Sequence, residues 1–244
     1  MKICLAVIAA MWLGATAAIA QDKIVTDAFE TSAGELKISF IGHGSLMMAF
    51  AGKIIHVDPW SRMADYSKLP KADLVLLTHD HYDHLDLAAL MSVRSADTVV
   101  ILPPVCDSKV KGGTVMTNGD VRTELGVKIE AVPAYNLVHR RDDGQLYHPK
   151  GVGNGYVLTF GDKRIYVAGD TENTPEMKSL KQIDCAFLPM NLPYTMTPEM
   201  VADAAKAFRP KILYPYHHMG TNQTELVELL KDTPGIEVRI NKMK

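Results

Sequence analysis

Short apolar runs punctuated by turn residues fill the first half of this chain. Residues 36–41, 46–50 and 53–57 read as strands, and Ala51-Gly52 joins the last two as a hairpin turn. The apolar run 74–77 reads as a buried strand and 98–102 as a further strand, with a helix between them over 85–93. Further strands follow at 127–132, 155–160, 164–168, 185–188 and 212–216, and Gly161-Asp162 forms a second hairpin. Helices cluster late. Thr197 caps a helix with Pro198 at its first position, Met200, Val201, Ala204, Ala205 and Phe208 on one face, and Pro210 at its end. Asn222 and Glu225 have capping-box spacing and open a second helix through Leu230. Hairpin strands mixed with helices that follow individual strands predict an α/β fold of four layers, an αββα sandwich, rather than a simple doubly wound sheet.

Residues 1–20 stand apart from this pattern. Lys2 precedes an apolar stretch through Ala18, and Ala18-Ile19-Ala20 fits the small-x-small rule of a signal-peptide cleavage site. Asp22 and Lys23 follow at once, so the stretch lacks the flanks of a membrane span and no stable membrane insertion is expected; an uncleaved anchor is the alternative. The expectation is a periplasmic or secreted protein whose residues 21–244 form a single domain, a length that suits one sizeable core. A formal charge of −2, with no long basic stretch, gives no electrostatic footprint for nucleic acid. Beyond the leader only Cys106 and Cys185 remain, and they read as small core residues rather than a disulfide. No internal repeat or linker divides the chain, and its oligomeric state is not legible.

The apolar run 74–77 leads straight into Thr78-His79-Asp80-His81-Tyr82-Asp83-His84. Three imidazoles and two carboxylates within seven residues, on the loop leaving a buried strand, sit where open α/β sheets bind ligands. Imidazole and carboxylate are donors that suit zinc, iron or manganese. His79 and His81 alternate, so both can grip one metal. Asp83 and His84 follow after a turn and reach a second, within the ~3.5–4 Å separation of two-metal hydrolases. A solvated His/Asp turn is the bland alternative, but the full His-x-His-x-Asp-His run is more specific than a lone His-x-His. Two cations need more ligands. Ala168-Gly169-Asp170-Thr171 is a strand end carrying a carboxylate with two oxygens to share, against the alternative of a turn or N-cap aspartate. Pro215-Tyr216-His217-His218 is a strand ending in imidazoles, with Pro-x-His favouring His217.

With these motifs the chain resembles the metallo-β-lactamase-fold hydrolases over nearly all of 21–244. The resemblance implies that His79 and His81 hold a first metal, that Asp83, His84 and His217 hold a second, and that Asp170 bridges. It also implies that Asp58, in Ile54-Ile55-His56-Val57-Asp58-Pro59, orders the metal loop through hydrogen bonds rather than as a ligand. Phe40-Ile41-Gly42-His43-Gly44-Ser45 is similar to the branch containing ascorbate-phosphate lactonase and N-acyl-phosphatidylethanolamine phospholipase D. One motif departs. Where the family supplies a histidine for the first metal, this chain has Asn136, and histidine returns only at His139 and His148. His148 is the favoured replacement, because Arg140 and Arg141 beside His139 would repel a cation. Asn136 itself, or a His148 that is only a surface loop residue, are the alternatives.

Two cations sharing a water would give hydroxide at neutral pH, with Asp83 orienting it as the catalytic carboxylate. The expected activity is hydrolysis of an ester, lactone or phosphodiester in a small molecule, with two divalent ions, zinc first and manganese or iron as alternatives. Gly44-Ser45 lacks the sequence around a serine nucleophile. Tyr82, Tyr135, Tyr194 and His43 are candidates for hydrogen bonds to substrate, though packing or support of the ligands is the plainer reading of each. The competing classes are an iron-dependent oxidoreductase of the persulfide-dioxygenase type and a non-catalytic metal-binding protein.

Overall fold

The computed structural model describes residues 24–240, so the signal-peptide expectation at 1–20 lies outside the described residues. The first sheet runs β1 (Val25–Thr31), β2 (Gly34–Gly42), β3 (Ser45–Phe50), β4 (Lys53–Val57), β5 (Leu74–Leu76), β6 (Val99–Leu102) and β7 (Thr114–Val115), adjacent in chain order. Its first four strands pair antiparallel and the rest parallel. The second sheet repeats this construction with β8 (Val121–Glu124), β9 (Val127–Ala134), β10 (Gly153–Phe160), β11 (Lys163–Val167), β12 (Cys185–Pro189), β13 (Ile212–Tyr216) and β14 (Glu237–Val238). There too the pairing changes from antiparallel to parallel at the fourth strand. The helices are α1 (Leu87–Val93), α2 (Pro104–Asp107), α3 (Pro175–Lys178), α4 (Pro198–Phe208) and α5 (Gln223–Leu230).

Alternation along the strands makes the four layers. Leu36, Ile38 and Phe40 of β2, with Leu74 and Leu76 of β5, face inward and meet Ile129, Leu158, Val167 and Phe187 of the other sheet. Their neighbours Val75 and Leu77 face outward under Leu90 and Val93 of α1. On the far side Tyr166, Ala186 and Leu213 carry Val201, Ala205 and Phe208 of α4. Because side chains on a strand alternate with period two, one run of apolar residues buries both faces of a central strand. The expected αββα sandwich is therefore the observed one. Among the described residues Cys106 and Cys185 are free and buried, as read from the sequence.

Local chemistry set most element ends. Thr197 caps α4 by accepting from Met200 N at 3.2 Å, and Asn222 caps α5 by accepting from Thr224 N at 3.1 Å. The helix expected from 85 starts two residues later, because the Asp86 carboxylate accepts from Ala88 N and Ala89 N and fixes the cap there. Strands β1, β7, β8 and β14 were not expected. Among the described residues β1, β7, β8 and β14 stand at the sheet edges, and β1 and β8 are largely exposed, so neither shows the apolar pattern that marks a buried strand.

Candidate metal centre

The carboxyl ends of the parallel strands in both sheets converge on one spot. Asp58 follows β4, the 78–84 loop follows β5, Asp170 follows β11 and His217 follows β13. Asp58 does what the resemblance implied. Its Oδ1 accepts from Thr78 N at 2.8 Å, and its Oδ2 accepts from Thr78 Oγ1 at 2.6 Å and from His84 Nδ1 at 2.8 Å. Thr78 Oγ1 then accepts from His79 Nδ1 at 3.0 Å. One buried carboxylate thus fixes the tautomers of two imidazoles and turns both Nε2 atoms toward the centre.

The side chains gather in two groups, His79, His81, His148 and Asp170 in one, and His43, Asp83, His84 and His217 in the other. Within each, the potential ligand atoms lie within 4.8 Å of one another. Asp170 divides its oxygens between them. Oδ2 lies 3.3 Å from His148 Nε2 and 4.0 Å from His79 Nε2, while Oδ1 lies 3.3 Å from His84 Nε2 and 3.5 Å from His217 Nε2. Asp83 Oδ2 lies 3.6 Å from His217 Nε2 and 2.9 Å from His43 Nε2. Every residue expected from the sequence as a ligand is here, with His43 in addition.

The displaced histidine has its own support. His148 Nδ1 donates to Asn136 Oδ1 at 2.6 Å, which leaves His148 Nε2 facing Asp170. Asn136 donates from Nδ2 to Glu172 Oε1 and to the Tyr194 carbonyl, both at 2.9 Å, so its oxygen is committed to His148. Glu172 is fully buried and also accepts from the backbone of Leu137, Val138 and His139 and from His139 Nδ1. His139 thereby turns away from the centre. Sequence reasoning missed Glu172 entirely, and only its place just beyond Asp170 hinted at a role. Tyr135 also points elsewhere, to Glu176 at 2.9 Å, whereas Tyr82 and Tyr194 line the cavity above the clusters.

Close approach shapes the site. A β-carbon on Gly44 would meet His84 Cε1 at 2.9 Å, so only glycine lets the β2–β3 turn lie against that ring. His43, Asp58 and His217 are non-glycine residues with φ of 52°, 43° and 47°. Backbone held in this sparsely populated region costs on the order of 1–3 kcal/mol each and clusters at functional sites. The electrostatics suit metal ligands. Burial pushes the His79 and His81 rings down, His81 to about 4, so both are neutral with a free lone pair at pH 7. Burial alone would raise the Asp83 and Asp170 carboxyls, but the facing histidines outweigh it and hold both well below the usual carboxylate range. His84 goes the other way: burial disfavours its charge, yet Asp170 and Asp58 raise it well above an ordinary histidine.

Residues 37–217 match the family profile of the beta-lactamase superfamily domain, a span that holds every residue of both clusters. The chain belongs to the metallo-β-lactamase superfamily. It is 33% identical over 193 residues to a UPF0173 metal-dependent hydrolase of Ligilactobacillus salivarius, covering 75% of this chain and 84% of the relative. It is similar to a crystal structure assigned as a metal-dependent hydrolase from Parabacteroides distasonis, with 51% identity, a TM-score of 0.87, and coverage of 91% of this chain and all of the other. Igni18, a metallo hydrolase of Ignicoccus hospitalis, superposes at a TM-score of 0.69 with 26% identity, covering 84% of this chain and 94% of its own. The chain is therefore a metal-dependent hydrolase of this superfamily, with two candidate metal sites of histidine and aspartate.

Proposed function

We propose that this protein is an exported dinuclear hydrolase of small esters, lactones or phosphodiesters. The observation that carries the reading is the divided carboxylate of Asp170, which faces both clusters at once. The residues fit a cation pair. His79 Nε2, His84 Nε2, His217 Nε2 and Asp170 Oδ1 are buried and have no hydrogen-bond partner among the described residues, a costly arrangement unless something else satisfies them. His79, His81 and His148 would hold one cation, Asp83, His84 and His217 the other, with Asp170 between. Divalent cations bound there supply Lewis acidity and lower the pKa of water.

The chain's own residues do the rest. Asp83 is the less buried of the two central carboxylates, with its side chain 17% exposed against 4% for Asp170, and it lines the cavity. Ionised at neutral pH, it is an acceptor that can orient an attacking water and take its proton. His43, neutral because burial pushes its ring down, donates to Asp83 and fixes that carboxylate's direction. Export is supported by Lys2, the apolar stretch and Ala18-Ile19-Ala20.

Two measurements test this. A screen across esters, lactones, phosphodiesters and thioesters, with metal content assayed on the same sample, should find turnover with two divalent ions per chain. Oxygen consumption with iron and no hydrolysis would favour the oxidoreductase, and metal without turnover a binding protein. Mass spectrometry of periplasmic material should find Gln21 at the N-terminus, and Met1 intact there would sink the export proposal.

A further inference from the structure

The cavity above the clusters has a volume of about 570 Å³, a size suited to a small molecule. Its walls are aromatic: Trp60 and Tyr82 meet edge to face at 5.8 Å, and Tyr147 and Tyr194 at 5.0 Å. Two guanidiniums line the same cavity. Arg62 lies over the Trp60 ring at 5.8 Å and Arg141 over the Tyr147 ring at 5.7 Å. Both arginines are exposed, and among the described residues neither is paired with a carboxylate. Asp142 and Asp143 adjoin Arg141 in sequence, but Asp143 accepts from Gln145 N instead.

Arg141 donates to the Tyr147 carbonyl at 3.2 Å and to His81 Nε2 at 3.4 Å. The second contact cannot persist once His81 serves as a ligand. A neutral imidazole has one lone pair, so whichever ring nitrogen takes a cation, the other carries a hydrogen. His81 then offers Arg141 no acceptor. A guanidinium with five N–H donors is left beside the reaction centre with one carbonyl partner, and its planar fork matches a carboxylate or a phosphate.

We infer that Arg141, with Arg62 adding charge to the same cavity, selects substrates that carry a carboxylate or phosphate group on a compact apolar or aromatic body. Arg141 is a specificity residue, recognising the part of the substrate that does not react. The inference rests on the proposed hydrolase reading for treating the cavity as the substrate site, but its test needs no turnover.

Metal-loaded protein is titrated by calorimetry with phenylphosphonate, phenylacetate and neutral phenylacetamide. The wild type should prefer the anions to the amide. Arg141→Gln should cut that preference about tenfold, the scale of one lost charge-assisted hydrogen bond, with metal content unchanged. Arg141→Lys keeps the charge without the fork and should fall between the two. Arg62→Gln should lose less. A larger loss for phenylphosphonate points to a phosphate group in the substrate, and a larger loss for phenylacetate to a carboxylate. Equal preference in wild type and Arg141→Gln overturns the inference, and so does a wild type that binds the amide as well as the anions. A failed hydrolysis screen would sink the hydrolase reading instead, and leaves this titration to be read on its own.

Discussion

The first sheet delivers His79, His81, Asp83 and His84 from a single loop after β5, whereas the second delivers His148, Asp170 and His217 from three loops, after β9, β11 and β13. The sheets share one strand plan, so the difference lies in how many loops supply the ligands. In the first sheet Asp58 and Thr78 bond to two imidazoles of the same loop. In the second, His148 bonds to Asn136, which Glu172 holds from another loop. One half takes its ligands from one contiguous loop and the other gathers them from three, while both lean on distant partners, Asp58 and His43 in the first and Glu172 in the second. Asp170 is where the two meet.

The largest effect should come from breaking that meeting point. Asp170→Ala removes a carboxylate that faces both clusters, so metal analysis should find both sites depleted and hydrolysis down by well over ~100-fold, beyond the usual cost of disturbing a ligand's support. A variant that keeps one full equivalent of tightly held metal would show that the clusters are independent.

Next in size, His148→Ala should weaken the first site by more than ~100-fold, while Asn136→Ala should weaken it by ~10–100-fold, as expected of a group that only orients a ligand. The second site should stay filled in both variants. Metal titration of the pair decides between them, and a larger loss in Asn136→Ala would reverse their roles.

The contrast also explains what the sequence revealed. The 78–84 loop was legible because its ligands are contiguous and follow a continuous apolar strand. Asp170 was legible as a strand-end carboxylate with two oxygens to share and His217 as a strand-end imidazole, and the family resemblance assigned each its metal. His148 was favoured by exclusion, since Arg140 and Arg141 spoke against His139. The structure gives a different physical reason: Glu172 captures the His139 ring at 2.7 Å. Glu172 and the role of His43 were out of reach, because each acts on a residue more than 30 positions away. The four-layer fold was readable from alternation and caps, whereas the exposed edge strands β1 and β8 left no apolar trace.

The smallest effect tests whether the frame and the centre can be separated. Thr197→Ala removes a cap from α4 in the outer layer and should cost about 1 kcal/mol. Thermal unfolding should shift by roughly 2–4 °C for a domain of this size, with metal content unchanged. Loss of metal in that variant would mean that the dispersed half of the site depends on every turn of its covering helices.

The central claim is that His148 completes a first metal site which Asp170 joins to a second. Anomalous scattering from crystals soaked in zinc addresses it most directly. The account predicts two peaks, one about 2.0–2.2 Å from a nitrogen of His79, His81 and His148, the other equally close to His84, His217 and Asp83, with an Asp170 oxygen beside each. A single peak, or a first peak with Asn136 at bonding distance and His148 turned away, would contradict it.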